Sequence, residues 1–418
     1  MRMNDVALYS GILGIESPWR VTEVRPVLSE GSITIRVEIP ASQKLTCPEC
    51  GDECPRHDHR ERRWRHLPTC QYQTIIEAAV PRVRCPKHKV RQIRVPWAEA
   101  NSSFTALFEV VAIMWLKVAS FSAVAKGLDL TWDQVDGIQR RAVRRGLARR
   151  ARVCPERICV DETSYRTGHD YVTIVSDQKP GEGVVHVSDG NGKDALNSLY
   201  SQFTADELAH IEAVSMDMHG PYIWSTVDHL EDPDLKICFD WFHVVQHLTA
   251  AVDKTRRAEN RELLKVEDRR LVKTKHWWLY RKGGERTSVR AQFKKLKDSA
   301  LKTAVAWAMK EAAANIRGYK IMGWARRAWT AWIEWALESG SVFMVKVAKM
   351  IRYHLIGILN ADILRATNAR AESINAKIQK IKRMACGYRN KERFKSAIYF
   401  HLGNLDMAPA TAGSHLRS

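Results

Sequence analysis

Three acidic side chains have the type and setting for phosphodiester chemistry: Asp161, Asp217 and Glu372. Asp161 and Asp217 each follow a run of apolar or β-branched residues, which predicts a carboxylate at the C-terminal end of a strand. On adjacent strands the two side chains would meet despite the gap in sequence. Carboxylates brought together repel each other unless cations neutralise them. Mg²⁺ or Mn²⁺, held by carboxylates and water, does this. Two such ions can activate a water and stabilise the leaving oxygen of an in-line displacement. Glu162 neighbours Asp161, but strand alternation turns it to the opposite sheet face, so it stays outside the set. A strand-end Asp taken alone is more simply a turn residue; the pair carries the argument.

Glu372 opens a helix in which Ile374, Ile378, Ile381 and Ala385 form an apolar stripe. Glu372, Asn375 and Gln379 fall on roughly the other side, a solvated face by spacing alone. Asn375, one turn on, is spaced to orient Glu372 or to touch phosphate. Asp240-Trp241-Phe242-His243 closes another strand-like run, and His243 and His247 lie one helical turn apart. That spacing suits a metal, but a supporting role for Asp240 and His243 near the active site is the preferred reading.

A second metal pattern lies upstream. Cys47 and Cys50 form one knuckle and Cys85 and His88 another, the ligand set of a tetrahedral Zn²⁺ on two hairpins. Cys54, His57 and His59 remain as substitutes for one ligand. Two knuckles of this kind make a ribbon rather than a base-reading finger helix.

These side chains need elements to place them. Residues 1–40 read as strand-like, with Ile33, Ile35, Val37 and Ile39 alternating with polar positions. A basic stretch runs from Arg56 to His66, and a further strand from Thr74 to Val83. From Phe104 the period becomes helical. A short helix spans Phe121 to Gly127, and Thr131 caps a third helix rich in arginine: Arg140, Arg141, Arg144, Arg145, Arg149, Arg150 and Arg152. This trio suits a helix-turn-helix whose third helix enters the major groove while Arg140, Arg141, Arg144, Arg145 and Arg149 neutralise phosphates. The plainer alternative is a helical bundle with a solvated basic face.

Next come strands at Arg157 to Asp161, Tyr171 to Ser176 and Val184 to Val187, then strands at Ile211 to Asp217 and Leu235 to Asp240 with a helix from Pro221 to Leu230 between them. Three meandering strands followed by strand–helix–strand is the order of an α/β ribonuclease-H-like core. Residues 256–360 read as wholly helical and basic, with Trp277, Trp278, Trp307, Trp324, Trp329, Trp332 and Trp335 as the expected core of an insertion. A final helix runs from about Ala366 to Ala385. The expected division is a zinc-ribbon-like module at 1–100, a helix-turn-helix at 101–152, the first part of the core at 153–256, the helical insertion at 257–360, the Glu-bearing helix of the core at 361–405, and a flexible tail at 406–418.

Composition agrees with a polyanionic partner. The 418 residues carry 66 Lys and Arg against 47 Asp and Glu, a net charge of +19. No apolar run is long enough to span a bilayer, and the N-terminus lacks a secretory cleavage pattern. With no signal for export, nine cysteines fit reduced thiols, some metal-bound, better than a disulfide framework. The expected location is the bacterial cytoplasm, associated with the nucleoid.

The motifs together resemble bacterial insertion-sequence transposases of the DDE class, of the ISL3 type. Val160-Asp161-Glu162 with Gly168-His169-x-Tyr171 is similar to that family's first-Asp segment, and Ser215-x-Asp217-x-x-Gly220-x-Tyr222 to its second. Asp240-x-Phe242-His243, Arg370-Ala371-Glu372-x-x-Asn375-x-Lys377-Ile378 and Gly387-Tyr388-Arg389 match its later signatures, and the Cys-Pro-x-Cys-Gly knuckle agrees. His88 stands where a Cys is commoner.

The resemblance implies that Asp161, Asp217 and Glu372 hold two Mg²⁺ (or Mn²⁺) per active site, alongside one structural Zn²⁺. It implies double-stranded DNA as partner, both the terminal inverted repeats of an element and target DNA. It also implies cleavage that leaves a 3′-hydroxyl, transesterification into target, and a homodimer or higher assembly. The alternative is a zinc-containing, sequence-specific DNA-binding regulator without catalysis, which leaves the strand-end acids unexplained.

Overall fold

A computed structural model describes residues 5–166, 170–279, 290–366 and 369–409. Gly168 and His169 of the first-Asp segment lie outside the described residues, as do residues 410–418 of the tail and residues 280–289 of the insertion. The chain divides into two units, Met1–Ala151 with Glu392–Ser418, and Arg152–Lys391. Among the described residues no helix is long and apolar enough to cross a membrane.

The first unit begins with helix α1 (Asp5–Leu13), followed by strands β1 (Arg20–Val27), β2 (Ser32–Glu38), β3 (Leu45–Thr46), β4 (Glu53–Cys54), β5 (Arg56–Thr69), β6 (Tyr72–Cys85) and β7 (Lys89–Gln92). The sheet order is β1-β2-β6-β5, with β7 on β6 and only the β2–β6 pair parallel. Two expectations need correction. Asp5–Leu13 is a helix, not a strand, and it buries only Tyr9, so no two-residue alternation exists there to extend the sheet. The basic stretch Arg56 to His66 is one arm of a long hairpin. Trp64 and His66 are buried at 1% and 7% exposure, Arg56, Arg60 and Arg63 are exposed, and Arg62 and Arg65 are half-buried, so charge dominates the composition of the strand.

Helices α2 (Ala106–Val118), α3 (Phe121–Leu128) and α4 (Trp132–Arg149) follow. Each starts at a hydroxyl residue, Thr105, Ser120 or Thr131, whose side chain accepts a backbone N–H of the first turn. Thr131 and Gln134 complete a reciprocal capping box. Phe108, Leu116, Val124, Val135 and Ile138 form their common core.

The second unit opens with β8 (Arg157–Arg166), β9 (Asp170–Asp177) and β10 (Val184–Asp189), an antiparallel meander. Then come α5 (Lys193–Tyr200), α6 (Ala205–Ala209), β11 (Ala213–Met216), α7 (Gly220–His229), α8 (Pro233–Lys236) and β12 (Ile237–Phe239). The sheet order is β10-β9-β8-β11-β12, and β11 runs parallel to both its neighbours. Ile158, Val160, Val214, Met216, Ile237 and Phe239 turn one face into the main core.

The helices α9 (Trp241–Lys265), α10 (Lys275–Leu279), α11 (Arg290–Lys297), α12 (Lys302–Ile316), α13 (Met322–Glu338) and α14 (Val342–Ile363) share that core. Trp278, Trp307, Trp329 and Trp332 are buried in it, and the indole N–H of Trp332 donates to the Met309 carbonyl at 2.8 Å. Trp324 and Trp335 are exposed, so the core reading fails for these two. Gly357 lets α14 lie against β12: a Cβ there would sit 2.5 Å from the Phe239 ring. Asn360 fastens the contact by donating to the carbonyls of Asp234 and Ile237 at 2.7 and 2.9 Å. The helix α15 (Ala369–Met384) then carries Glu372.

The last helix, α16 (Lys391–Leu402), belongs from Glu392 onward to the first unit rather than with the Glu372 helix. Phe400 and Met407 are 3% and 5% exposed in the core of α2–α4, and the Arg145 guanidinium donates to the Met407 carbonyl. Truncating a buried Phe to Ala costs about 3–5 kcal/mol. Phe400→Ala is therefore expected to destabilise the helical trio by about that amount in chemical denaturation, although it lies far from these helices in sequence. A change below about 1 kcal/mol would refute the packing.

Candidate functional site

Strand register brings the acids into line. Cys159 of β8 pairs with Ser215 of β11, and Ser215 with Cys238 of β12. Two residues further along each strand stand Asp161, Asp217 and Asp240, all of one parity and hence on one sheet face. The Asp240 N–H still donates to the Met216 carbonyl at 3.0 Å, so the parallel pairing holds to this point.

The helix α15 lies across the same face. Ala371, Ile374, Ile378 and Ile381 are buried, and polar side chains beside them grip β8. Asn375 donates to Asp161 Oδ2 at 2.5 Å, Gln379 to Thr163 Oγ1 at 3.1 Å, and Lys382 to the Ser164 carbonyl at 2.6 Å. The solvated face expected for Glu372 and Gln379 holds, since both are exposed, and is corrected for Asn375, which is half-buried against β8. An edge of α15 polar enough to read as wet instead meets the polar end of a strand.

Asp161 is boxed in. Its Oδ1 accepts the Glu162 N–H at 2.7 Å and its Oδ2 the Asn375 amide. Burial pushes its carboxyl up to about 6; the Glu162 and Asp217 carboxylates push the same way, against the Glu162 N–H and His243. Glu162 faces the other side, where Tyr222 donates to it at 3.0 Å, as strand alternation requires. Asp217 holds the His219 N–H at 3.2 Å.

Asp240 Oδ1 caps α9 by accepting from the Phe242 N–H at 3.2 Å. Its Oδ2 is buried and accepts no hydrogen bond, with His243 Nε2 4.0 Å away. Asn375 Oδ1 is likewise buried and unbonded. Two buried oxygen acceptors with no donor, on the elements that carry or face Asp161 and Asp217, are what a hard divalent cation satisfies.

Glu372 is exposed and lines a cavity of about 370 Å³ together with Asp240, Asp362 and Arg317. Asp161, Asp217 and Glu372 are not gathered to within one ion's reach: among the described residues the only set of three or more candidate ligands within 4.8 Å of one another is Cys47, Cys50, Cys85 and His88. His243 and His247 form no such set either.

The sulfur and nitrogen atoms of that upstream set lie 3.6–3.7 Å apart where contacts are resolved: Cys47 to His88, Cys50 to Cys85, and Cys85 to His88. A tetrahedron with metal–sulfur bonds of about 2.3 Å has edges of about 3.7 Å. The first knuckle closes through the Gly51 N–H to the Cys47 carbonyl at 2.9 Å, at a φ of +78° that favours glycine. Cys54, His57 and His59 stay outside the set, which His88 completes.

The arginines of α4 divide. Arg140 is exposed apart from a 3.8 Å approach to Asp136, and Arg144 is exposed. Arg141 instead donates to buried Glu109 at 2.6 and 2.9 Å. Arg145 is itself buried between Glu99, Glu109 and the Met407 carbonyl. Arg149 bonds Asp406 at 3.0 Å and the Ala408 carbonyl. Phosphate contact is therefore corrected for Arg141 and Arg145, which are internal ties, whereas Arg149 is exposed beside its partners. The signal missed in sequence was Glu109, an acid on the apolar face of α2. The exposed positions of α4 are Trp132, Asp133, Gln134, Arg140, Arg144, Ala148 and Arg149.

Known families match all three parts of the chain. Residues 158–398 fit the transposase model of the ISL3 type. Residues 43–88 fit the zinc-finger of transposases IS204/IS1001/IS1096/IS1165, and residues 93–143 the helix-turn-helix domain of transposase family ISL3. Similar curated proteins include the transposase for insertion sequence element IS1001 of Bordetella parapertussis, 26% identical over 85% of this chain and 88% of that protein. The transposase for IS1557 of Mycobacterium tuberculosis is 27% identical over 93% of this chain and 94% of its own length.

The ribbon geometry gives a direct expectation. Metal analysis after dialysis should find one zinc per chain, retained by Cys54→Ser and lost by Cys85→Ser. Loss on Cys54→Ser would mean a different ligand set.

Proposed function

The chain belongs to the ISL3 family of insertion-sequence transposases, and on that premise we propose that Asp161, Asp217 and Glu372 are its catalytic acids, cutting DNA at the ends of a mobile element and joining them to target DNA. The observation that supports this most is the shared register of Asp161 and Asp217 on adjacent parallel strands, facing α15. The strand order and directions of the second unit, three antiparallel strands then two parallel ones with a helix between, support reading it as a ribonuclease-H-like core interrupted by the helices α9–α14.

The all-oxygen donor set fits Mg²⁺ or Mn²⁺, with Asp161 and Asp217 on the sheet and Glu372 on the exposed face of α15 as the residues that would hold it. Bound there, two such ions supply the acidity that activates a water and stabilises the leaving oxygen. The chain's own contribution is positional. Asn375 holds one oxygen of Asp161, leaving its carboxylate in a single orientation. Asp240 ends β12 and starts α9, and its free Oδ2 adds a further acceptor beside the pair. His243, at its nearest 4.0 Å from Asp240, supplies a compensating positive field when protonated. Hydrolysis leaves a 3′-hydroxyl on the element end. That oxygen then forms a bond to a target phosphorus as a target P–O bond breaks, with no covalent protein–DNA adduct. Both element ends must be engaged, so the working form is a dimer or larger assembly.

The zinc ribbon and helix-turn-helix recognise the terminal repeats. Trp132, Asp133 and Gln134 head α4, the part of a recognition helix that reaches base edges. Arg140 and Arg144 are its free phosphate contacts.

Asp161→Asn is expected to abolish strand cleavage of a labelled element end while sparing end binding. Removing an outer-shell partner of a metal ligand costs about 10–100-fold, so Asn375→Ala should reduce cleavage by that factor. Cleavage by Asp161→Asn at the wild-type rate ends the assignment. For binding, Arg144→Ala should lower the slope of log affinity against log salt by about 1. Arg145→Ala should instead lower thermal stability. A reversal of these two effects would move the DNA face elsewhere on α4.

A further inference from the structure

The segment that carries Asp217 also carries Tyr222, and the cutting role proposed above leaves that residue without a part. Tyr222 is fully buried in the first turn of α7, among the apolar residues that β8 and β11 turn away from the acids. From there it touches the two residues that hold the acids in place.

The described ladder between β8 and β11 ends at Cys159 and Ser215. Asp161 and Asp217 both stand beyond it, where the repulsion of two carboxylates tends to drive the segments apart. Tyr222 bridges this stretch. Its hydroxyl donates to Glu162 Oε2 at 3.0 Å and lies 2.8 Å from Thr173 Oγ1 of β9. Its ring meets the His219 imidazole edge to face, with 4.9 Å between centroids. Glu162 and His219 are the residues whose N–H groups hold one oxygen of each acid: Glu162 on Asp161 Oδ1 at 2.7 Å, His219 on Asp217 Oδ1 at 3.2 Å. His219 is fixed in turn by its Nε2, which donates to the Asn191 carbonyl at 2.9 Å, and by its carbonyl, which accepts the Tyr222 N–H at 3.1 Å. One side chain thus reaches both acids through one intermediary each. Burial and the Glu162 carboxylate hold the Tyr222 phenol well above its ordinary range, so it remains a donor.

We infer that Tyr222 is a positioning residue for metal binding: it ties the strand of Asp161 to the turn of Asp217 and sets the spacing at which the two carboxylates share divalent cations. This rests on the cutting role proposed above. The tie acts where the sheet no longer does, and it needs no contact with metal or DNA. Without the hydroxyl, Glu162 loses its link to α7, and the two acids relax apart under their own repulsion. The cost falls on the hold on cations, not on the hold on DNA. A tyrosine that merely fills the core would affect stability alone.

The test uses full-length, zinc-loaded protein on a pre-cut element-end duplex. Mn²⁺ binding is followed by the loss of the free-ion EPR signal and taken as the excess over Asp161→Asn. Cleavage of an intact labelled end against Mg²⁺ concentration, and thermal stability, are measured in parallel. Losing an outer-shell partner of a metal ligand costs about 10–100-fold in affinity. Tyr222 acts one step further out, so Tyr222→Phe should weaken Mn²⁺ binding by about 10-fold and raise the Mg²⁺ needed for half-maximal cleavage by the same factor, with duplex affinity unchanged. Glu162→Ala should do likewise, and it carries the test should Tyr222→Phe fail to fold. Glu162→Gln, which keeps an acceptor oxygen, should lose less. Combining Tyr222→Phe with Glu162→Ala should be no worse than the poorer single change, as for two ends of one bond. A lowered Tm with wild-type Mn²⁺ affinity would overturn the tie and leave the acids standing. Equal losses in Glu162→Gln and Glu162→Ala would do the same, by assigning the effect to charge. No excess Mn²⁺ binding by the wild-type protein over Asp161→Asn would overturn the reading of the acids as well.

Discussion

Like charges held close in a dry place are the constraint around which the second unit is organised. Parallel pairing of β8, β11 and β12 fixes Asp161, Asp217 and Asp240 at one level on one face, and nothing in the sheet itself relieves their repulsion. The rise that burial gives the Asp161 carboxyl is one response, and the Asn375 amide is another. Neither is complete, since Asp240 and Asn375 each retain a buried oxygen without a donor. A sheet built for stability alone would replace such residues with apolar ones of similar volume.

The helices α9–α14 serve the same constraint from the other side. They stand in sequence between the strand that ends at Asp240 and the helix that carries Glu372. Their tryptophan-rich core, continuous with the sheet, gives α14 a fixed seat on β12 through Gly357 and Asn360. That seat determines where the chain re-emerges toward α15. A rigid spacer does what a long loop could not, because an unstructured connection of this length would leave Glu372 free to sample a large volume.

What could be read from the sequence followed the reach of each signal. Asp217 follows the end of its strand as the apolar run predicts, but β8 runs on to Arg166 and leaves Asp161 inside the strand rather than at its end. The capping hydroxyl of Thr131 and the knuckle residues Cys47, Cys50 and Cys85 were legible as local patterns. So was His88, although Cys54, His57 and His59 competed until three-dimensional distances separated them. The arginines of α4 were misread because their partners are distant: Glu109 lies on another helix, and Asp406 and Met407 near the other end of the chain. Asn375 was misread for the same reason, since helical periodicity reports the apolar stripe but not a polar seam against a strand end. The arginines of β5, two of them half-buried, masked a strand whose fully buried residues are Trp64 and His66.

The return of α16 to the first unit means that one folding domain is interrupted by another. During synthesis, the helices α2–α4 leave the ribosome well before the residues that seal their core. Translation at about 5–20 residues per second would separate Ala151 from Glu392 by roughly 10–50 s. For that interval the nascent helix-turn-helix lacks Phe400 and Met407, and Arg145 lacks its carbonyl partner. The DNA-reading end of the protein matures last although it is encoded first, so only a chain that has already acquired its whole catalytic segment can present a finished reader.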